Sequence, residues 1–138
     1  MNWRSTFLLL FVVKAASAQL CLHETEPNIE SGYVYIRAEA KALQWIRSAV
    51  AESSNIQPPA FDDPQRLHKS VELYATLNNV SDDYDCAASF FTPYKASKNQ
   101  AISASADSFL TAISTAKQIN ADLSGMLDML NKATKVED

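Results

Sequence analysis

The chain has 138 residues, of which 47% are hydrophobic and 20% charged, a composition typical of a folded domain rather than a disordered segment. It holds only 2 glycines, which argues against a turn-rich β-sandwich or barrel and against glycine-rich phosphate loops. Its net charge of −4 argues against nucleic acid and anionic membrane surfaces as partners.

Residues 1–18 have the three parts of a secretory signal peptide. Arg4 supplies the positive start, a short apolar run follows, and Ala16-Ser17-Ala18 forms a small-x-small cleavage site. Lys14 ends the apolar run well short of the ~20 residues of a membrane span. We therefore expect cleavage after Ala18 and a secreted, extracellular chain without a transmembrane segment. The alternative is a short buried helix at the N-terminus.

Cleavage at that site would leave a single α-helical domain over 19–138, with 10 basic and 16 acidic residues and a net charge of −6. Its first helix is predicted over 27–53, where aromatic and β-branched residues at 33–36 alone would suit a strand. A longer seven-residue period favours a helix. That period consists of Ile29, Ile36, Leu43 and Val50.

Asp63-Pro64 predicts the start of a second helix over 64–91, since Asp caps free N–H groups and Pro suits the first helical position. Ser97 followed by Gln100 matches a capping box and predicts a third helix over 98–133. Short loops between long helices favour antiparallel neighbours. The predicted fold is an all-α antiparallel bundle of three long helices, or of four to five if the second and third helices break.

Apolar stripes along the three helices define the predicted core. Much of the third helix is Ala, Ser and Thr, whose small side chains let neighbouring helices approach closely and leave a thin core. The expected core residues are Ile36, Leu43, Ile46, Val50, Leu73, Leu77, Val80, Phe91, Ile102, Phe109, Ile113, Leu123 and Leu127.

Cys21 and Cys86 are the 2 cysteines of the chain, and both follow the predicted signal peptide. An even count in a secreted chain indicates a disulfide. Antiparallel packing would bring Cys21, before the first helix, close to Cys86, near the end of the second. A disulfide-linked dimer and two free thiols are the alternatives.

No group of residues predicts catalysis, a metal site or a cofactor. The 2 histidines, His23 and His68, have no metal-ligand spacing with a further ligand. No nucleophile elbow singles out a serine, and we expect a protein that is not an enzyme. Asn79-Val80-Ser81 is an N-glycosylation sequon, so Asn79 should face solvent if the host glycosylates it. The acidic cluster at 82–85 is interpreted as a solvated helix face.

Two stretches carry a resemblance to a known family. They are LHKSVELYATL at 67–77 and ISASADSFLTAI at 102–113, continuing through 130–132. In the general character of their residues and in helix order, they are similar to the fungal hydrophobic surface-binding proteins and the related cell-wall galactomannoproteins. The resemblance implies a secreted, Ala/Ser/Thr-rich helical protein that adsorbs to hydrophobic surfaces or holds fatty acids between its helices.

Two functions follow as hypotheses. One is a secreted, non-enzymatic protein that binds fatty acid, another apolar small molecule or a hydrophobic surface. The other is a secreted protein-interaction factor, such as an effector, inhibitor or cytokine-like signal, with a protein partner. A lined cavity would favour the first, and a filled core the second. The expected apolar ligand contacts are Tyr33, Ile36, Leu43, Trp45, Phe91, Phe109 and Ile113.

Overall fold

The computed structural model describes residues 21–23 and 32–133. Within these ranges the chain forms only helices, so the predicted all-α class is confirmed. The predicted signal peptide and the predicted start of the first helix lie outside the described residues. No helix in the described ranges is long and apolar enough to cross a membrane. The helices are α1 (Gly32–Ser54), α2 (Arg66–Phe91), a short 3-10 helix (Thr92–Ala96) and α3 (Gln100–Ala133).

The starts of α2 and α3 differ slightly from the predicted caps. At α2, the side chain of Asp63 accepts a hydrogen bond from the N–H of Gln65, two residues on, at 2.8 Å. At α3, Asn99 is the cap, because its side-chain oxygen accepts from the N–H groups of Ala101 and Ile102 at 3.0 and 3.4 Å. The predicted capping box at Ser97 is therefore wrong. An Asn at the cap satisfies the same free N–H groups.

Small residues form the seam between α1 and α2. Ala42 and Ala49 on α1 and Ala87 on α2 have no exposed surface. These two helices make the most extensive close backbone approach of any helix pair in the described residues. Alanine at the seam permits that approach, because no large side chain separates the two backbones.

The core-facing side of α1 is one residue away from the predicted one. Tyr35 shares the buried face with the two alanines. The predicted core residues Ile36 and Val50 are instead 62% and 54% exposed. A shift of one residue rotates a helix face by about 100°. The prediction was wrong at these two positions because the side of α1 that packs closely against α2 carries alanine, and the larger side chains lie outside that contact.

Side-chain hydrogen bonds join α2 to α3 along their length. The pairs are Ser70 with Asn131, Tyr74 with Asp128, the carbonyl of Leu77 with Asn120, and Asp85 with Lys117. Residue numbers rise along α2 as they fall along α3. The two helices therefore run in opposite directions.

The rest of the predicted core divides into two groups. Buried residues are Leu77, Val80, Phe91, Ile102, Ile113 and Leu127. Half-buried residues are Leu43, Ile46, Leu73, Phe109 and Leu123. Large apolar side chains on α2 and α3 thus point inward as predicted, but five of the core positions keep part of their surface uncovered.

A disulfide joins Cys21 to Cys86, with the two Cα atoms 5.2 Å apart, which confirms the predicted pairing. It ties the segment before α1 to the last turns of α2. Beside it, the ring of His23 lies 4.1 Å from the ring of Phe90, measured between centroids. The Nε2 atom of His23 is also 3.2 Å from the hydroxyl of Ser89.

The same end of the bundle is where α1 meets α3. The hydroxyl of Tyr35 donates a hydrogen bond to Ser105 at 2.7 Å, and its ring packs edge-on against Tyr94, with centroids 4.9 Å apart. Burial is the main reason that the pKa of each tyrosine lies above its ordinary value. Away from this junction, α1 and α3 make few close approaches to each other.

Candidate functional site

Three neighbouring cavities lie along α2 and α3, two of them closed on the other side by α1 and the third by the loop that follows α1. The upper cavity, nearest the disulfide, has a volume of about 290 Å³. Leu43 and Ile46 of α1 line one side of it, and Phe109 and Ile113 of α3 line the other. This cavity exists because the alanine seam holds α1 against α2, while the larger side chains of α1 flank the seam.

The middle cavity, of about 180 Å³, lies between the upper one and the lower one. It shares Tyr84 and Ala116 with the upper cavity. It shares Ile56 and Leu123 with the lower cavity. Shared lining residues make the three cavities neighbours in a row, and together they are called the groove below.

The lower cavity has a volume of about 250 Å³ and lies at the end of the bundle opposite the disulfide. Its lining residues are all apolar, among them Pro58 from the loop after α1, Leu73 from α2 and Leu130 from α3. The half-buried residues Leu73 and Leu130 therefore line an open space at this end of the bundle instead of packing in a filled core.

Among the described residues, no charged side chain lines the groove. Its polar side chains, Ser53, Tyr84 and Asn120, all line the middle cavity. Ser53 donates to the carbonyl of Ala49 at 2.7 Å, and the amide nitrogen of Asn120 donates to the carbonyl of Leu77 at 2.7 Å. Among the described residues, the hydroxyl of Tyr84 has no hydrogen-bond partner.

Four of the predicted ligand contacts lie in or behind the groove wall. Leu43, Phe109 and Ile113 line the upper cavity. Phe91 is fully buried behind the wall, where its ring stacks on Phe109 with centroids 4.5 Å apart and an interplanar angle of 5°. This stack fixes the orientation of the Phe109 ring at the cavity.

The other three predicted contacts lie elsewhere. Tyr33 and Ile36 are 70% and 62% exposed and line none of the three cavities. Both lie outside the groove because the core-facing side of α1 is rotated by one residue from the predicted stripe, and their contact with a ligand stays a prediction. Trp45 is half-buried and packs against the core rather than lining the groove.

The most informative groove residues, Tyr84 and Asn120, were not predicted as site residues. Asn120 had a visible signal in the sequence. It occupies a position at which the α3 stripe, from Ile113 and Ala116 to Leu123, calls for an apolar residue. A polar side chain in such a position is buried with a hydrogen-bond partner, as Asn120 is.

Residues outside the groove have simpler roles. Asn79 is exposed on α2, as glycosylation would require, and a glycan there stays a prediction. His68 and Glu72 lie 3.4 Å apart on the surface, and the described residues contain no group that could hold a metal ion. Asp83 of the acidic cluster is buried, contrary to the predicted solvated face, and its Oδ2 atom lacks a hydrogen-bond partner.

Comparison of the chain with protein-family models, with characterised proteins and with solved structures found no match. What the groove can do must therefore be judged from its shape and its chemistry. The walls of the three adjoining cavities can bury a hydrocarbon chain. The polar side chains of the lining all lie at the middle cavity.

Proposed function

We propose that the protein is a secreted, non-enzymatic binder of elongated apolar ligands, such as fatty acyl chains, which lie in the groove. The observation that carries this proposal is the row of three cavities joined by shared lining residues. Ligand pockets are typically concave and apolar, with volumes from ~300 Å³ upward. Each cavity is smaller than that, whereas the adjoining cavities together exceed it.

Hydrocarbon burial is large enough to drive such binding. Each buried methylene contributes ~0.8 kcal/mol, so ~14 methylenes contribute ~11 kcal/mol. Loss of translational and rotational freedom removes at least ~4 kcal/mol. The remaining ~7 kcal/mol corresponds to a dissociation constant of ~10 μM, an affinity that suits a carrier that must also release its ligand.

Features outside the groove support the same proposal. The expected signal peptide and the disulfide suit an extracellular protein, because disulfides persist in oxidising compartments. The resemblance to hydrophobic surface-binding proteins implies the same class of ligand.

Native mass spectrometry of protein purified from a secreting host, followed by organic extraction, tests this directly. We expect a co-purified apolar molecule, and displacement of a fluorescent fatty acid from the emptied protein. A bare disulfide-bonded mass, with neither fatty-acid uptake nor adsorption to hydrophobic beads, would overturn the proposal. A protein-interaction factor would then be the better hypothesis.

A blocking variant shows whether the ligand lies in the groove. Ala116 lines both the upper and the middle cavity, so Ala116→Leu places three extra carbons where they join. We expect at least tenfold weaker binding without loss of helix content. Ala121→Leu is the matched control, since Ala121 is exposed on the same helix. Equal binding by the two variants would exclude the groove as the site.

A further inference from the structure

Hydrogen-bonding capacity in the groove is concentrated at its middle. Tyr84 is only 8% exposed and lines both the upper and the middle cavity. Its hydroxyl has no hydrogen-bond partner among the described residues and is not sealed from solvent. A largely buried tyrosine normally finds a partner for its hydroxyl. This hydroxyl is therefore available to a ligand in the groove.

Asn120 supplies the complementary atom. Its amide nitrogen donates to the carbonyl of Leu77, which sets the orientation of the side chain, because a carbonyl requires a donor. The amide oxygen is left without a hydrogen-bond partner among the described residues, and it is likewise not sealed from solvent. Both residues line the middle cavity, so its wall contains one residue with an unused donor and one with an unused acceptor.

The absence of charge in the described lining restricts what this pair can hold. An ionised carboxylate in an apolar site is strongly disfavoured unless a cation compensates it. Lys117, on α3 next to Ala116, forms an ion pair with Asp85 instead. The lining accordingly suits an uncharged oxygen. A ketone or ester carbonyl would accept from the Tyr84 hydroxyl, and an alcohol could also donate to Asn120.

We propose that the preferred ligand is an apolar molecule with an uncharged oxygen function (a ketone, an ester or an alcohol) within its hydrocarbon chain. Tyr84 and Asn120 hold that oxygen in the middle cavity. The two hydrocarbon arms occupy the upper and lower cavities on either side. This rests on the proposed function, and it adds the chemical class of the ligand.

The test uses two probes of equal chain length, undecane and undecan-6-one, which displace a fluorescent fatty acid from the full mature protein. Tyr84→Phe removes only the hydroxyl. We expect it to weaken binding of the ketone by about 5- to 10-fold and to leave binding of the alkane unchanged. Tyr74→Phe is the control, because the Tyr74 hydroxyl bonds to Asp128 and Tyr74 is not in the groove lining.

The outcomes separate this inference from the function on which it rests. If Tyr84→Phe changes the affinity for ketone and alkane by the same factor, the polar site is refuted while hydrocarbon binding stands. If the fluorescent fatty acid binds the wild-type protein and neither probe displaces it, the inference is refuted while the proposed function stands. If the fluorescent fatty acid does not bind either, the proposed function fails as well. Circular dichroism of each variant verifies that the helices are intact.

Discussion

The orientation of α1 can be tested by placing one substitution on each side of the helix. Ala42 has no exposed surface and lies in the seam with α2, whereas Ala40 is exposed. Ala42→Leu and Ala40→Leu add the same three carbons to the same helix. Any difference between the two variants in the free energy of unfolding shows which side of α1 faces the core.

The expected magnitudes follow from burial. Extra methylenes in a packed core cost about 1–3 kcal/mol, so Ala42→Leu should lower the free energy of unfolding by that amount. A substitution on an exposed face changes it by about 0.5 kcal/mol or less, which is the expectation for Ala40→Leu. Ile36→Ala should cost less than about 1 kcal/mol, against about 2–5 kcal/mol for a core isoleucine.

Urea unfolding followed by far-UV circular dichroism measures all three variants. The reasoning is refuted if Ile36→Ala is the most destabilising and Ala42→Leu is neutral. That result would show that the stripe through Ile36, Leu43 and Val50 faces the core, one residue and about 100° away from the face described here.

Two further properties can be measured with the same unfolding assay. The disulfide closes a loop with a sequence separation of 65, so its reduction should lower the free energy of unfolding by about 4 kcal/mol; an unchanged urea midpoint under reducing conditions would contradict this. Burial raises the pKa of Tyr35 and Tyr94 above 10.0, so both hold their protons more tightly when folded. Their contribution is complete below pH 10 and is lost as the pH rises through the raised values. Tyr94→Phe should therefore lose less stability above pH 10 than wild type, and equal losses would argue against burial as the cause.

The sequence predicts α2 and α3 well because their apolar stripes are narrow, and Pro64 and Pro93 lie just before and just after α2. In α1 the apolar residues cover a wide arc, including four in a row at 33–36. Hydrophobicity alone therefore does not select one face. Which face of α1 is buried depends on how closely the backbone of α2 can approach it. Alanine allows the closest approach, but this effect arises only when the two helices pack together.

The disulfide was predictable because two cysteines allow one pairing within a chain, and helix order brought them together. The groove was predictable only in part. Phe109 and Ile113 belong to the apolar stripe of α3, so the helical period alone predicts that their side chains point inward. Tyr84 lies on the apolar stripe of α2, so its inward direction also follows from the helical period. Its place in a groove depends on how α1 and α3 pack against α2, which no local pattern shows.

The walls of the groove are attached to α2 and hardly to each other. The alanine seam holds α1 in place, and the hydrogen bonds at Ser70, Leu77 and Asp85 hold α3. Removing a ligand breaks none of these contacts, so the empty groove has no reason to collapse. Binding then needs no opening step and little reorganisation energy. Association should be a single kinetic phase whose rate rises linearly with ligand concentration, as in a preorganised receptor.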